Sequence, residues 1–130
     1  MNTKIAIIED ETPIANMYRF KLELNGYDVR MAHDGQKGLT LCKDYLPDLV
    51  LLDIRMPVMD GVEMLEKMRA TEWGSGLKVI ILTNISKDEA PSNLRFLHVD
   101  QYIVKAHHTP QQVVNIIEEI LGKKLPNHTA

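Results

Sequence analysis

The sequence predicts an α/β fold: a five-stranded, all-parallel sheet covered by helices on both faces. Three observations lead to it. Short apolar runs recur down the chain, at Lys4–Ile8, Leu49–Leu52 and Lys78–Thr83. Stretches with apolar residues at helical spacing lie between such runs, and strand–helix alternation of this kind builds parallel sheets. The run Leu49-Val50-Leu51-Leu52 shows no polar alternation, as a strand covered on both faces requires.

Each element has its own signal. The first strand, Lys4–Ile8, ends in Glu9-Asp10-Glu11. Thr12-Pro13 opens a helix, because the fixed φ of proline suits a first turn. Ile14, Met17, Tyr18 and Leu22 recur along that helix, and Gly26 stands just past its end. Tyr27 to Met31 alternates as a second strand. Asp34-Gly35 starts a second helix with Leu39, Cys42 and Leu46 on one side, and Pro47 stops it. Asp48 to Asp53 is the central strand. Asp60-Gly61 precedes a helix with the stripe Val62, Leu65 and Met68, and Trp73-Gly74-Ser75-Gly76 is a loop. Lys78 to Thr83 is the fourth strand. Between Ile85 and Val99 the signals conflict. Asp88, Glu89 and Ala90 favour a helix and Leu94 and Leu97 extend it, but Pro91 falls inside, either breaking the helix or opening a shorter one. Gln101 to Lys105 is the fifth strand. Thr109-Pro110-Gln111-Gln112 has the capping-box arrangement, and Val113, Val114, Ile117, Ile120 and Leu121 make the last helix apolar on one side. The chain then turns polar, which divides it into a domain of residues 1–122 and a C-terminal tail of residues 123–130.

Composition narrows the function classes. A chain of 130 residues, 45% hydrophobic and 25% charged, is one soluble globular domain. A net charge of -3 argues against direct binding to nucleic acid or an anionic membrane. Cys42 is the only cysteine, so no internal disulfide forms, and it reads as a small buried helix residue. No apolar run approaches the roughly 20 residues of a membrane span, and no signal-peptide pattern opens the chain. The expected setting is the cytoplasm.

Five strands in this order suit a doubly wound, flavodoxin-like sheet of order 2-1-3-4-5, whose switch point lies between the first and third strands. That topology carries Glu9 and Asp10 beside Asp53, and brings Thr83 and Lys105 to the same sheet edge. Three carboxylates so close stay ionised only if cations offset them. Lys105 offers one positive charge, and a divalent ion held by hard oxygen donors offers more, which selects Mg2+ or Mn2+ over zinc. A carboxylate at such a site acts as a nucleophile toward phosphorus. In this reading Asp53 supplies the attacking oxygen. Asp10, Asp53 and the backbone carbonyl of Arg55 hold the metal, and Thr83 and Lys105 bind phosphoryl oxygens.

Each residue also has a plain role on its own. An aspartate at a strand end caps a helix, a threonine closing a strand reflects β-propensity, and Glu11 is helix-start charge. His107 and His108 are adjacent on a loop and have no further ligands in view. The coincidence of all the polar positions at one edge is what favours chemistry.

With these residues in place the chain resembles the receiver domain of bacterial two-component response regulators, over residues from about 4 to 122. The resemblance rests on the acidic pair Glu9-Asp10, on Asp53 followed by Met56-Pro57 and Asp60-Gly61, on Thr83, and on Tyr102 three residues before Lys105. It implies a phosphorelay module rather than an enzyme: Asp53 as phosphoacceptor, Glu9, Asp10, Asp53 and the Arg55 carbonyl as Mg2+ ligands, and Thr83, Lys105 and Tyr102 as the phosphoryl-binding and switch residues. It implies as partners a sensor histidine kinase or histidine phosphotransfer protein upstream and an effector protein or domain downstream. The switching face would be built from the fourth helix, fifth strand and fifth helix. Four positions depart from the family pattern. Ala106 follows Lys105 in place of proline, which favours a trans peptide there. Asn84 follows Thr83 in place of a small residue, His98 stands where glycine supplies a positive φ, and Pro91 interrupts the fourth helix. Arg55, two past Asp53, is placed to reach over a phosphoryl group. The competing reading is a protein-binding module of the same fold that no longer uses phosphate. An aspartyl-phosphate phosphatase is disfavoured, because Arg55 stands where such enzymes carry an acid.

Overall fold

The computed structural model describes residues 2–122. Its strands are β1 (Lys4–Ile8), β2 (Asp28–Ala32), β3 (Leu49–Leu52), β4 (Lys78–Thr83) and β5 (Gln101–Val104). Its helices are α1 (Thr12–Leu24), α2 (Gly35–Tyr45), α3 (Gly61–Arg69) and α4 (Pro110–Ile120). The strands are parallel, in the order β2-β1-β3-β4-β5. The register aligns Ala32, Ile8, Leu52, Ile81 and Tyr102 in one row. Glu9 and Asp53 therefore each stand one residue past the same line, with Thr83 and Lys105 close beyond it.

Period-two alternation divides the core into two layers. Ile5, Ile7, Leu49, Leu51, Ile80 and Leu82 face one way and meet Ala15, Tyr18 and Leu22 of α1 and Val113, Val114 and Ile117 of α4. Ala6, Ile8, Val50, Leu52, Val79 and Ile81 face the other way and meet Cys42 of α2 and Met64, Leu65 and Met68 of α3. The central strand is buried along its whole length, as its unbroken apolar run requires. Cys42 is a fully buried free thiol that burial pushes up to about 12, a packing residue without nucleophilic character. Asp34 and Asp60 cap α2 and α3 by accepting the N–H groups of Lys37 and Glu63, and the Thr109–Gln112 capping box opens α4.

Several sequence expectations need correction. No α-helix forms between Ile85 and Val99. Two 3-10 turns, Lys87–Glu89 and Ser92–Phe96, take its place. The reason is Pro91, which drives the residue before it out of the helical region. Ala90 (ψ 146°) and Pro91 (ψ 133°) are consecutive extended residues that split the segment. Leu46 does not share the buried side of α2: it is the left-handed cap before Pro47 (φ 50°) and 48% exposed, while Tyr45 turns inward. Met17 is exposed on α1 rather than part of its buried face, which Ala15, Tyr18 and Leu22 form. β2 starts at Asp28, not Tyr27, and β5 ends at Val104. Lys105 begins a 3-10 turn, Lys105–His107, rather than closing the strand. The polar tail of residues 123–130 lies outside the described residues.

Arg69, the last residue of α3, holds the chain around this altered segment. Its Nε donates to the Leu97 carbonyl (2.7 Å) and its Nη2 to that of His98 (2.7 Å). Nη1 reaches the carbonyls of Gly74 (2.9 Å), Ser75 (3.3 Å) and Leu77 (2.7 Å). His98 has the positive φ expected of its position, at 55°. The Arg69 clamp fixes that backbone from below.

Candidate functional site

β1 and β3 are neighbours, so the residues leaving their carboxyl ends are forced together at the topological switch point. Glu9, Asp53 and Thr83 are buried there, while Asp10 is exposed. One oxygen from each of Glu9, Asp10 and Asp53 lies within 4.8 Å of the others. Lys105 Nζ donates to Glu9 Oε1 at 2.6 Å and to Asp53 Oδ2 at 3.4 Å. The Ile54 N–H donates to Asp53 Oδ1 at 2.7 Å, and the Glu11 N–H to Glu9 Oε2 at 3.1 Å. Asp53 is thus oriented by its own strand exit and by a cation arriving from β5.

The charges are unbalanced. Burial pushes Glu9 up to about 7 and the charge of Asp53 adds to this, against the opposing bonds from Lys105 and the Glu11 N–H. Burial would lower Lys105, but its bond to Glu9 and the charge of Asp53 outweigh that and hold it above its ordinary value. One lysine therefore faces three carboxylates. The donor set is all carboxylate oxygen, which fits a hard divalent ion such as Mg2+. No other group of three or more His, Cys, Asp or Glu side chains among the described residues has this closeness.

An open cleft of about 440 Å³ leads to Asp53. Its walls include Asp10, Arg55, Thr83, Asn84, Ile85, Glu89 and Lys105. Of the site residues proposed from the sequence, Asp10, Asp53, Arg55, Thr83 and Lys105 line it, while Glu9 is buried and bonded to Lys105 and Tyr102 lies outside the lining. Arg55 and Asn84 are both exposed and both line the cleft wall. The Thr83 hydroxyl weakly accepts the Ile85 N–H at 3.4 Å. Tyr102 donates its hydroxyl to the Ile85 carbonyl at 2.7 Å, and burial raises its pKa. It is already fastened to the strand exit two residues beyond Thr83. The described residues contain no cis peptide, so Lys105–Ala106 is trans, as the alanine predicts.

The loop after Asp53 is held by glycine and by strain. A Cβ on Gly61 would stand 2.1 Å from the Asp53 carbonyl oxygen, and the Gly61 N–H donates to the Ile54 carbonyl at 2.7 Å. The Met59 N–H reaches back to the Pro57 carbonyl at 2.7 Å, closing a γ-turn about Val58 at φ 69°. A β-branched residue in that region is a genuine outlier, and such strain gathers beside functional sites. Sequence reasoning missed Val58, and also Glu89, Ile85 and His33, whose Nδ1 pairs with the Glu9 carbonyl at 2.9 Å. Only the strand register, placing His33 just past Ala32 in the row of Ile8, was available to flag the last.

Comparison with known proteins agrees with this geometry. Residues 5–118 match the response regulator receiver domain family. The chain is 33% identical over 125 residues to the alkaline phosphatase synthesis transcriptional regulatory protein PhoP of Bacillus subtilis. That match takes in 95% of this chain and 50% of PhoP, so the chain spans half the length of that curated relative. A CheY-like receiver domain protein from Methanospirillum hungatei superposes with a TM-score of 0.83 at 31% identity, covering 94% of this chain and 95% of that one. The receiver domain of sensor histidine kinase PA1611 from Pseudomonas aeruginosa, solved with magnesium in its active site cleft, gives 0.84 at 24% identity, with 95% and 100% covered. This last likeness concerns the fold.

Proposed function

The chain belongs to the response regulator receiver domain family of two-component signalling, and from that premise we propose that it is a phosphoacceptor switch acting through Asp53. The observation that carries this reading is the convergence on one carboxylate: Asp53 at a sheet switch point, oriented by the Ile54 N–H and faced by Lys105. An Asp53 carboxylate oxygen attacks the phosphorus of a phosphohistidine on a sensor kinase or phosphotransfer protein. The P–N bond breaks, the imidazole leaves and takes up a proton, and an aspartyl-phosphate remains. Glu9, Asp10, Asp53 and the Arg55 carbonyl would hold Mg2+. Bound there, the ion offsets the charge that otherwise keeps an anionic donor away from three carboxylates.

Lys105 and Thr83 take the phosphoryl oxygens. Lys105 exchanges part of its bond to Glu9 for one to the phosphoryl group, and Thr83 turns its hydroxyl inward, loosening its contact with the Ile85 N–H. Ile85 also accepts from Tyr102, so a shift at Thr83 is passed to β5 and to the segment of residues 84–100. A downstream effector reads that change.

The test is intact mass after incubation with Mg2+ and acetyl phosphate or phosphoramidate, the latter carrying the nitrogen-linked phosphoryl group of a phosphohistidine. One base-labile phosphoryl addition, absent in Asp53→Asn, is expected. A folded protein that takes up phosphate from neither donor, or takes it up equally in the variant, refutes the assignment.

A further inference from the structure

We propose that the open edge of β2 is a self-association surface, on which a second copy of this chain adds its own β2 in antiparallel pairing. β2 is the outermost strand of the sheet and pairs with β1 alone. Its sequence, Asp28-Val29-Arg30-Met31-Ala32, contains neither the proline nor the lysine that blocks an exposed edge.

The ladder on the inner side sets which peptide groups face out. The Asp28 N–H donates to the Thr3 carbonyl at 2.9 Å, and the Ala32 carbonyl accepts the Glu9 N–H at 3.0 Å. Even-numbered residues of β2 therefore turn their peptide groups toward β1, and Val29 and Met31 turn theirs to the edge. An antiparallel partner on that edge has several registers open to it, and charge selects one. With Val29 opposite Val29 of the second copy, Asp28 of each copy stands opposite Arg30 of the other, so two ion pairs form about the dyad. Centring the pair on Arg30 instead sets the two arginines against each other, and like charges directly opposite destabilise a sheet.

The selected register has the geometry these ion pairs need. Val29 opposite Val29 is a hydrogen-bonded pair, because its peptide groups face out. Asp28 and Arg30 then oppose each other as non-hydrogen-bonded pairs, the positions at which side chains come closest. Both residues are exposed on β2, two apart and so on one face. Neither has an ion pair within the chain among the described residues. The Arg30 guanidinium lies 4.6 Å from the Tyr45 ring centroid, a contact that holds its flat face and leaves its N–H edge for a carboxylate. Past Met31 the edge opens into a groove of about 390 Å³, walled by Met31, Ala32, Gln36 and Thr40 among others. The same register sets Gly26 of the second copy opposite Ala32, so the groove gives room to the turn that leads into its β2.

The product is one continuous sheet made from two five-stranded ones. The two β2 strands run in opposite directions, so the two Asp53 clefts lie on opposite edges of it. The pairing itself does not depend on the phosphoacceptor reading above.

The experiment is sedimentation velocity on the full chain at rising concentration, up to about 0.5 mM, beside Arg30→Asp, Asp28→Arg and the double swap that carries both changes. The native chain is expected to form a dimer with a dissociation constant of about 0.1 mM or tighter. Each single variant puts like charges opposite each other on both sides of the dyad and should weaken pairing about tenfold, and the double swap should recover most of that loss. Both positions are exposed, and circular dichroism checks the fold of each variant. Amide exchange on the native chain is the second readout. The Val29 and Met31 N–H groups should exchange more slowly as concentration rises, while those of α3 stay unchanged. A chain that remains monomeric, a dimer indifferent to the single variants, a swap that fails to restore pairing, or no slowing at Val29 and Met31 overturns the proposal.

Discussion

Replacing Gly61 with alanine tests the coupling between the loop after β3 and Asp53, the proposed phosphoacceptor. The added Cβ would meet the Asp53 carbonyl oxygen at 2.1 Å and the Asp53 carbonyl carbon and Ile54 Cα at 3.0 Å. These are backbone atoms, so no side chain can turn away. The peptide leaving Asp53 must move by roughly 1 Å to restore ordinary contact, and the 2.7 Å bond from the Gly61 N–H to the Ile54 carbonyl stretches with it. Overpacking of this kind costs about 2 kcal/mol. The functional loss should be larger, because misplacing a reacting group by about 1 Å costs on the order of 100-fold in rate. Thermal unfolding followed by circular dichroism reads the first effect, and the rate of phosphoryl uptake from acetyl phosphate, by intact mass well below the melting temperature, reads the second. A folded Gly61→Ala chain with unchanged melting temperature and an uptake rate within about threefold of native would show that the close approach does not position Asp53, and the reasoning would fail.

Four further outcomes are expected. Val58→Gly removes a left-handed β-branched residue that is 83% exposed. It should raise stability by about 1 kcal/mol, roughly 4 °C in melting temperature, and an unchanged or lower value contradicts the strain. Arg69→Leu leaves five carbonyl acceptors without their donor and should cost about 3 kcal/mol, with faster amide exchange near residues 74–77 and 97–98; a loss below about 1 kcal/mol rejects the clamp. Glu9 titrates near 7 in the folded chain against an ordinary 4.5, so the folded state holds the extra proton between those values. The contribution of Glu9 to stability in metal-free buffer should therefore be fully present below pH 4.5 and be lost as pH rises toward 7, by up to about 3 kcal/mol. Glu9→Gln should remove that slope, and an equal slope in the variant would assign it elsewhere. Arg55→Ala takes a guanidinium from the cleft wall and should shorten the aspartyl-phosphate lifetime about tenfold in a decay assay, an effect excluded by an unchanged rate.

Much of this molecule is legible in the residues. The run Leu49–Leu52, the alternating faces of Lys4–Ile8 and the capping box at Thr109 specify elements through local chemistry, and the strand–helix alternation with right-handed crossovers leaves few topologies. Once the order is 2-1-3-4-5, Glu9, Asp10, Asp53, Thr83 and Lys105 must share an edge. The segment after β4 was ambiguous because its helical stripe and Pro91 pull in opposite directions, and Leu46 was misplaced because the turn before Pro47 outranked its hydropathy.

What the sequence by itself determined is therefore the fold class, the strand order and which polar residues meet at one sheet edge, since these follow from periodicity, caps and topology. Only the tertiary structure decided how they interact. The 2.6 Å bond that commits Lys105 to Glu9, the hold of Tyr102 on the Ile85 carbonyl and the γ-turn at Val58 join residues far apart in the chain or depend on backbone strain. Packing sets them, because a contact between positions 9 and 105 is specified by the whole core that brings their strands together and by no local pattern at either end.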